Sequence, residues 1–364
     1  MVYHALGLMS GSSLDGLDLV FAHFHEQGGQ WTYEIEKTAC YPYTDAWEGR
    51  LKAAPMLPAR DYCQLHVDYG HYLGQAINRF IEENNLHYKI GLIGSHGHTV
   101  FHSPASGMTA QIGDGAALAA ETGLPVISDL RSMDLAYGGQ GAPLVPLGEH
   151  CLFTGHSLFL NIGGIANITK GGDQYIAFDI CPANRVLNLL ANERGKPFDE
   201  NGAMAAKGSV IPDLLHQLNE HPYYKQSFPK SLANELGTDE HFPLLINSGY
   251  AIEDLLATYT RHVSEQIAAS ARSLVNSESG VQQKMFVTGG GALNQHLIES
   301  LVQQLQSSDI EVVIPDVQLV HYKEALIMAF LGVLRWRQEY TVLATVTGAR
   351  RASIGGALWN GQEA

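Results

Sequence analysis

Asp179 stands at the end of an apolar segment and just ahead of Cys181-Pro182-Ala183-Asn184, where a helix is expected to begin. A carboxylate at the C-terminal edge of a strand in an α/β chain faces the usual ligand crevice. There it could act as general base on water or a hydroxyl, an effect of roughly 10²–10⁴-fold. An N-cap or turn aspartate has the same signature. Asp15 would reach magnesium through water, or simply close an Asx turn into Gly16. His96, His98 and His102 suggest zinc, since His96 and His98 share one face of an extended segment. No carboxylate stands at matching spacing, so a hydrogen bond from one histidine to a substrate hydroxyl is the preferred reading. Arg131 carries a fork suited to a carboxylate, or is a surface arginine after Asp129. Glu324 opens a helix, where it would accept from a sugar hydroxyl or favour the helix N-terminus.

These side chains need a frame, and three glycine-rich turns supply one. Residues 5–24, ALGLMSGSSLDGLDLVFAHF, read as a β-hairpin whose tip exposes hydroxyls and backbone N–H groups. Such a tip can wrap a phosphate. Residues 157–179, SLFLNIGGIANITKGGDQYIAFD, repeat the design: strand Ser157–Asn161, Gly163-Gly164, segment Ala166–Lys170, then strand Gln174–Phe178. Gly11 and Asn161 lie 150 positions apart (161 − 11) in a chain of 364 residues, which suits two similar lobes around one cleft. A third turn, Gly289-Gly290-Gly291, joins strand Lys284–Val287 to helix Asn294–Leu305, again a nucleotide geometry. Together they point to a two-lobed ATP-binding enzyme.

The alternation of strands and helices gives the α/β class. Tyr33–Tyr43 reads as a strand, 45–60 as a proline-bearing connection, Asp61–Asn84 as a helix, Gly91–Ser95 as a strand, Ala116–Thr122 as a helix and Val126–Ser128 as a strand. Helices are expected over Ala183–Arg194, Ile252–Val275 and 323–339, and Thr347–Trp359 is expected to return to the first lobe. Gly138–Gly141 reads as a flexible joint and hinge. This places a first lobe at 1–136 plus 345–364 and a second at 137–344. A net charge of −15 disfavours nucleic acid and anionic membranes as partners. No run of 18 apolar residues occurs, and no export signal opens the chain. Cys40, Cys63, Cys151 and Cys181 show no CxxC pairing, which suits a reduced, cytoplasmic protein.

Taken together, GLMSGSSLDGLD, IGSHGHTVFH, TAQIGDGAALAAETGLPVISDLRSMDLAYGGQGAPLVP, NIGGIANIT, FDICPAN, FVTGGGALN and HYKEALIMAFLG resemble the anhydro-N-acetylmuramic acid kinases. The resemblance runs collinearly from Gly7 to beyond Gly332. It implies two ribonuclease-H-like lobes of the actin-like ATPase fold, with ATP and Mg²⁺ in a central cleft. Gly11, Ser12, Ser13, Leu14, Asp15, Gly16, Leu17 and Asp18 would hold phosphates, as would Asn161, Gly163, Gly164 and Asn167. Gly289, Gly290 and Gly291 would lie against adenosine. Asp179 falls on the catalytic aspartate; His96, Arg131 and Glu324 fall on the sugar pocket, with Arg131 facing the lactyl carboxylate. The partner implied is a small sugar, and apolar helices suit a homodimer.

The sequence departs from the family in places. Ser12 replaces the usual Thr, His98 the usual Gln, and Cys181 and Ala183 two usual glycines. If either glycine normally takes φ > 0, strain is expected at Cys181 or Ala183. A non-catalytic sensor of the same fold, a kinase for another sugar and a phosphatase of phosphoanhydrides are the competing readings.

Overall fold

A computed structural model describes residues 1–11, 14–172, 175–228, 230–233, 235–275 and 282–361. Ser12 and Ser13 of the first turn, and Gln174 of the expected strand, lie outside them. The chain forms two compact units, Met1–Thr154 with Tyr322–Ala364, and Gly155–His321. The divisions at 154/155 and 321/322 replace those expected at 136/137 and 344/345. The shift has a local cause: helix Val145–Leu152 belongs to the first unit, where Glu149 is buried against Lys323 at 2.6 Å.

The first unit is built on β1 (Val2–Ser10), β2 (Leu17–Gln27), β3 (Gln30–Tyr41), β4 (Leu92–Ser103), β5 (Met108–Ile112) and β6 (Val126–Ser128). The second carries β7 (Leu158–Ile162), β8 (Ile165–Lys170), β9 (Ile176–Pro182), β10 (Gln283–Thr288) and β11 (Ile310–Val313). A last strand, β12 (Ala357–Trp359), pairs with β6, so the C-terminal stretch returns to the first unit as expected. The sheets run β12-β6-β4-β1-β2-β3, with β5 on β4, and β11-β10-β7-β8-β9. In each, a three-stranded antiparallel meander has its first strand flanked by a parallel strand reached by a crossover. The duplication expected from the two hairpins is therefore a duplication of the whole sheet, with the order of a ribonuclease-H-like lobe.

Alternation explains which face of β1 meets what. Leu6 and Leu8 join Tyr69, Leu73, Ile77 and Phe80 of helix Ala59–Asn84 in one core. Gly7 and Gly94 look the other way. A Cβ on either would sit 1.9 Å from the Ala325 carbonyl or 2.1 Å from that of Met328, so only glycine lets helix Val317–Trp336 lie this close to β1 and β4. That helix is apolar and long enough to cross a bilayer, yet most of it is buried within the protein. Its close seating on the sheet fixes Glu324.

Two expectations about elements fail. The stretch 45–60 contains a helix, Asp45–Ala53, capped by Thr44 on the Trp47 N–H. Strand β4 runs on to Ser103 because β5 pairs with it from His98 onward. The Gly138–Gly141 turn is internal to the first unit and tied down. Asp134, fully buried, accepts from Gly141 N at 2.7 Å and from Thr347 Oγ1 at 2.7 Å, and Gln140 N donates to the Thr347 carbonyl. It is not a free joint between units.

Candidate active site

In the first unit, β1 and β2 pair up to Ser10 opposite Leu17, and the turn between them carries Gly11, Leu14, Asp15 and Gly16. Leu14 takes φ +59° and its N–H reaches the Gly11 carbonyl. Asp18 is half-buried; burial pushes its carboxyl up to about 6, the Cys40 thiol opposes this, and Asp15 and Glu324 add to it. First turn and Glu324 thus share one electrostatic neighbourhood. Glu324 is also held above the usual carboxylate range by burial, against the pull of Lys323 and Arg131.

His96 is buried at 4 % exposure. Its Nε2 accepts from Arg131 Nε at 3.0 Å and Nη2 at 2.8 Å, and its Nδ1 meets the Gly97 carbonyl at 3.0 Å. Burial, then the guanidinium, hold its pKa down to about 3, so the ring is neutral with its proton on Nδ1. Arg131 also donates from Nη1 to the Gly141 carbonyl at 2.7 Å. Three of its five donors are thereby used, and one hydrogen each on Nη1 and Nη2 remains for a ligand. Burial lowers Arg131 to about 10, so it stays charged. The structure bonds His96 to Arg131, and the charge of Glu324 acts on Arg131.

His98 and His102 do other work. His98 Nδ1 bonds Ser10 Oγ at 3.0 Å, Tyr43 donates to the same oxygen at 2.7 Å, and the Tyr43 and Tyr69 hydroxyls meet at 2.5 Å. This buried network anchors the end of β1 where the first turn begins. Sequence reasoning missed it, having read Asp61–Asn84 only as a helix. His102 bonds Thr109 Oγ1. The three histidines form no metal cluster; among the described residues the group of that kind is His23, Glu34 and Glu36 on β2 and β3.

In the second unit, register places Thr288, Asn161, Asn167 and Asp179 side by side across β10, β7, β8 and β9. Residues directly opposite in a ladder share a face, so the four make one polar row. Asp179 lies within β9, which continues to Pro182, and not at a strand end as expected. The backbone of Lys230 and Leu232 runs beside it: Asp179 N donates to the Lys230 carbonyl and Leu232 N donates to Asp179 Oδ2 at 2.9 Å. Tyr223 Oη donates to the Asp179 carbonyl at 2.6 Å. Burial raises the carboxyl pKa, and the Leu232 bond partly offsets this.

The Gly163-Gly164 turn leans on helix Asn184–Asn192. The carbonyls of Ile162, Gly163 and Gly164 accept from Asn184 Nδ2, Asn184 N and Ala183 N at 3.1, 3.1 and 2.8 Å. Gly289 has φ +81°, and a Cβ there would lie 2.5 Å from Asn161 Oδ1. Gly291 packs likewise on Ile162, so the third turn is locked onto the second. Ala183 has φ −126°, and Cys181 is buried in the core without a positive φ. Neither departure takes the positive φ on which the expected strain depended, and Tyr259 Oη steadies the turn through the Pro182 carbonyl at 2.9 Å. A groove of about 560 Å³ lined by Ala205, Val210, Thr260 and Val302 touches none of these residues.

The family model for anhydro-N-acetylmuramic acid kinase matches residues 3–361. A protein of that name from Paramagnetospirillum magneticum is 34% identical over 366 residues, covering 97% of this chain and 98% of the relative. One from Methylorubrum populi is 39% identical over 332 residues, covering 83% and 85%. Among solved structures, an activator of 2-hydroxyisocaproyl-CoA dehydratase from Clostridium difficile with bound ADPNP is similar at TM-score 0.48 and 13% identity, covering 92% of this chain and 96% of that one.

Proposed function

The chain belongs to the anhydro-N-acetylmuramic acid kinase family, and from that premise we propose that it opens and phosphorylates 1,6-anhydro-N-acetylmuramic acid at the expense of ATP. The sugar has no free 6-hydroxyl, because O6 is bonded to C1. Asp179 takes a proton from water, and the water oxygen forms a bond to C1. The C1–O6 bond breaks, O6 takes the γ-phosphoryl group, and N-acetylmuramic acid 6-phosphate and ADP result. Such a reaction belongs to the recycling of peptidoglycan.

The observation that carries this reading is the state of Asp179. Leu232 N holds Oδ2, no described residue donates to Oδ1, and burial keeps the carboxyl basic for its type. Asn161 and Asn167 in the same row, with the Gly163-Gly164 turn, would meet phosphate oxygens. The remaining hydrogens of Arg131 would take the lactyl carboxylate, and Glu324 a sugar hydroxyl. Gly11, Leu14, Asp15, Gly16, Leu17 and Asp18 would form the first phosphate turn, with Gly289, Gly290 and Gly291 toward adenosine. Magnesium fits beside Asp15 and Asp18, hard oxygen donors whose mutual repulsion a cation would relieve. Bound there, it would neutralise phosphate charge. The reading extends to a cytoplasmic homodimer.

The test is turnover in oxygen-18 water with Mg-ATP and the anhydro sugar. Label on C1 of the phosphorylated product, with ADP released in step, is expected. Unlabelled phosphorylated product would mean that an existing hydroxyl was phosphorylated, and would end the reading.

A further inference from the structure

We infer that Arg185 is a phosphate-binding residue of the second turn, an assignment that rests on the reading of Gly163-Gly164 as a phosphate loop. Arg185 N donates to the Gly164 carbonyl at 3.3 Å, which seats the residue over the turn. Its side chain lies along the same turn: Nε and Nη2 stand 3.7 and 3.9 Å from where a Cβ on Gly164 would be, ordinary contact distance. The Nε atom is buried, and no described residue accepts its hydrogen bond. No described carboxylate pairs with the guanidinium either, in a chain with 37 acidic and 22 basic residues.

A buried N–H with no acceptor is unfavourable unless a ligand supplies one. The turn's own geometry says where an anion would sit. The Ile162, Gly163 and Gly164 carbonyls all face the start of helix Asn184–Asn192. In planar trans peptides the next N–H points oppositely, so the N–H groups of Gly163 and Gly164 face away from that helix. The planar fork of Arg185 beside this turn is a donor suited to phosphate oxygens. The bland alternative is a surface arginine hydrated at Nη1 and Nη2, packing through its stem.

Calorimetric titrations of wild type, Arg185→Ala, Arg185→Gln and Arg185→Lys with Mg-ATP and, separately, with adenosine decide between them. Loss of charge-assisted bonds to phosphate should weaken Mg-ATP binding about tenfold or more in Arg185→Ala and Arg185→Gln. Arg185→Lys should recover part of the loss, adenosine binding should be unchanged, and KM for the sugar should not move. Mg-ATP affinity equal to wild type in Arg185→Gln overturns the inference. So does an equal loss for ATP and adenosine, which would mark a structural role. If Arg185→Ala does not fold, the Gln and Lys variants decide. A wild type that binds Mg-ATP yet never turns over the anhydro sugar would sink the reaction reading and leave the Arg185 comparison standing.

Discussion

Arg131 gives two hydrogen bonds to a single nitrogen of His96, Nε at 3.0 Å and Nη2 at 2.8 Å, across 35 positions of sequence. The imidazole can accept both only while Nε2 is unprotonated, and the Gly97 carbonyl keeps its proton on Nδ1. In this state His96 holds the Arg131 guanidinium in place. Arg131→Lys keeps the charge and loses the fork. KM for the sugar should rise about 10- to 100-fold, as expected for losing a charged hydrogen bond, with kcat changed much less. Steady-state kinetics in the sugar at saturating ATP check this.

Burial of His96, with the guanidinium beside it, makes stability depend on pH. The folded pKa of His96 is about 3 against an ordinary 6.5. Between those values the unfolded chain binds the proton and the folded chain does not, so stability rises with pH across that window and is complete above about 6.5. One such group contributes a slope of up to about 1.4 kcal/mol per pH unit. Urea unfolding at pH 5 and pH 7 should show a smaller difference in His96→Asn than in the wild type. An unchanged difference would remove His96 from the account.

Asp179→Asn should lower turnover roughly 10²–10⁴-fold, the range of a lost general base. Mg-ATP affinity should persist, because the Asn can still accept from Leu232 N. Since burial raises the Asp179 pKa, the acid limb of kcat in the wild type should fall above the ordinary carboxylate value of 3.8. A pH–rate profile measures it, and a limb at or below that value would contradict the assignment.

Gly289→Ala combines a φ of +81° with a contact 2.5 Å from Asn161 Oδ1. The backbone strain alone costs on the order of 1–3 kcal/mol, and relief requires Asn161 to leave the polar row. A lowered thermal midpoint should therefore come with a raised KM for ATP. A stable variant with unaltered nucleotide kinetics would show that the third turn does not brace the second.

Asp134→Ala removes the acceptor for Gly141 N and Thr347 Oγ1 from a fully buried site. Stranding those donors should cost about 1–3 kcal/mol for each one left unsatisfied. Because Arg131 bonds the Gly141 carbonyl, KM for the sugar should rise too. Denaturant melts and sugar kinetics on one preparation would reveal whether the two effects travel together.

Sequence alone determined the hairpins Val2–Gln27 and Leu158–Lys170, the strand–turn–helix at Gly289 and the helix through Leu65, Tyr69, Leu73, Ile77 and Phe80. Those are periodicities and turn residues within a few positions of one another, and local sterics act at that range. The family's motifs likewise marked Asp179, His96, Arg131 and Glu324 as candidates. Tertiary structure decided what each one touches. Ser10 and His98 are 88 positions apart, and Asp179 and Leu232 are 53; no local pattern encodes such pairs, because strand register and crossover create them. Strand β5 and the end of β9 were missed for the same reason: their length is set by the strand or segment alongside. The Gly138–Gly141 turn read as a hinge from its glycines. Only the fold brought Asp134 and Thr347 to it, and their buried hydrogen bonds hold it in place.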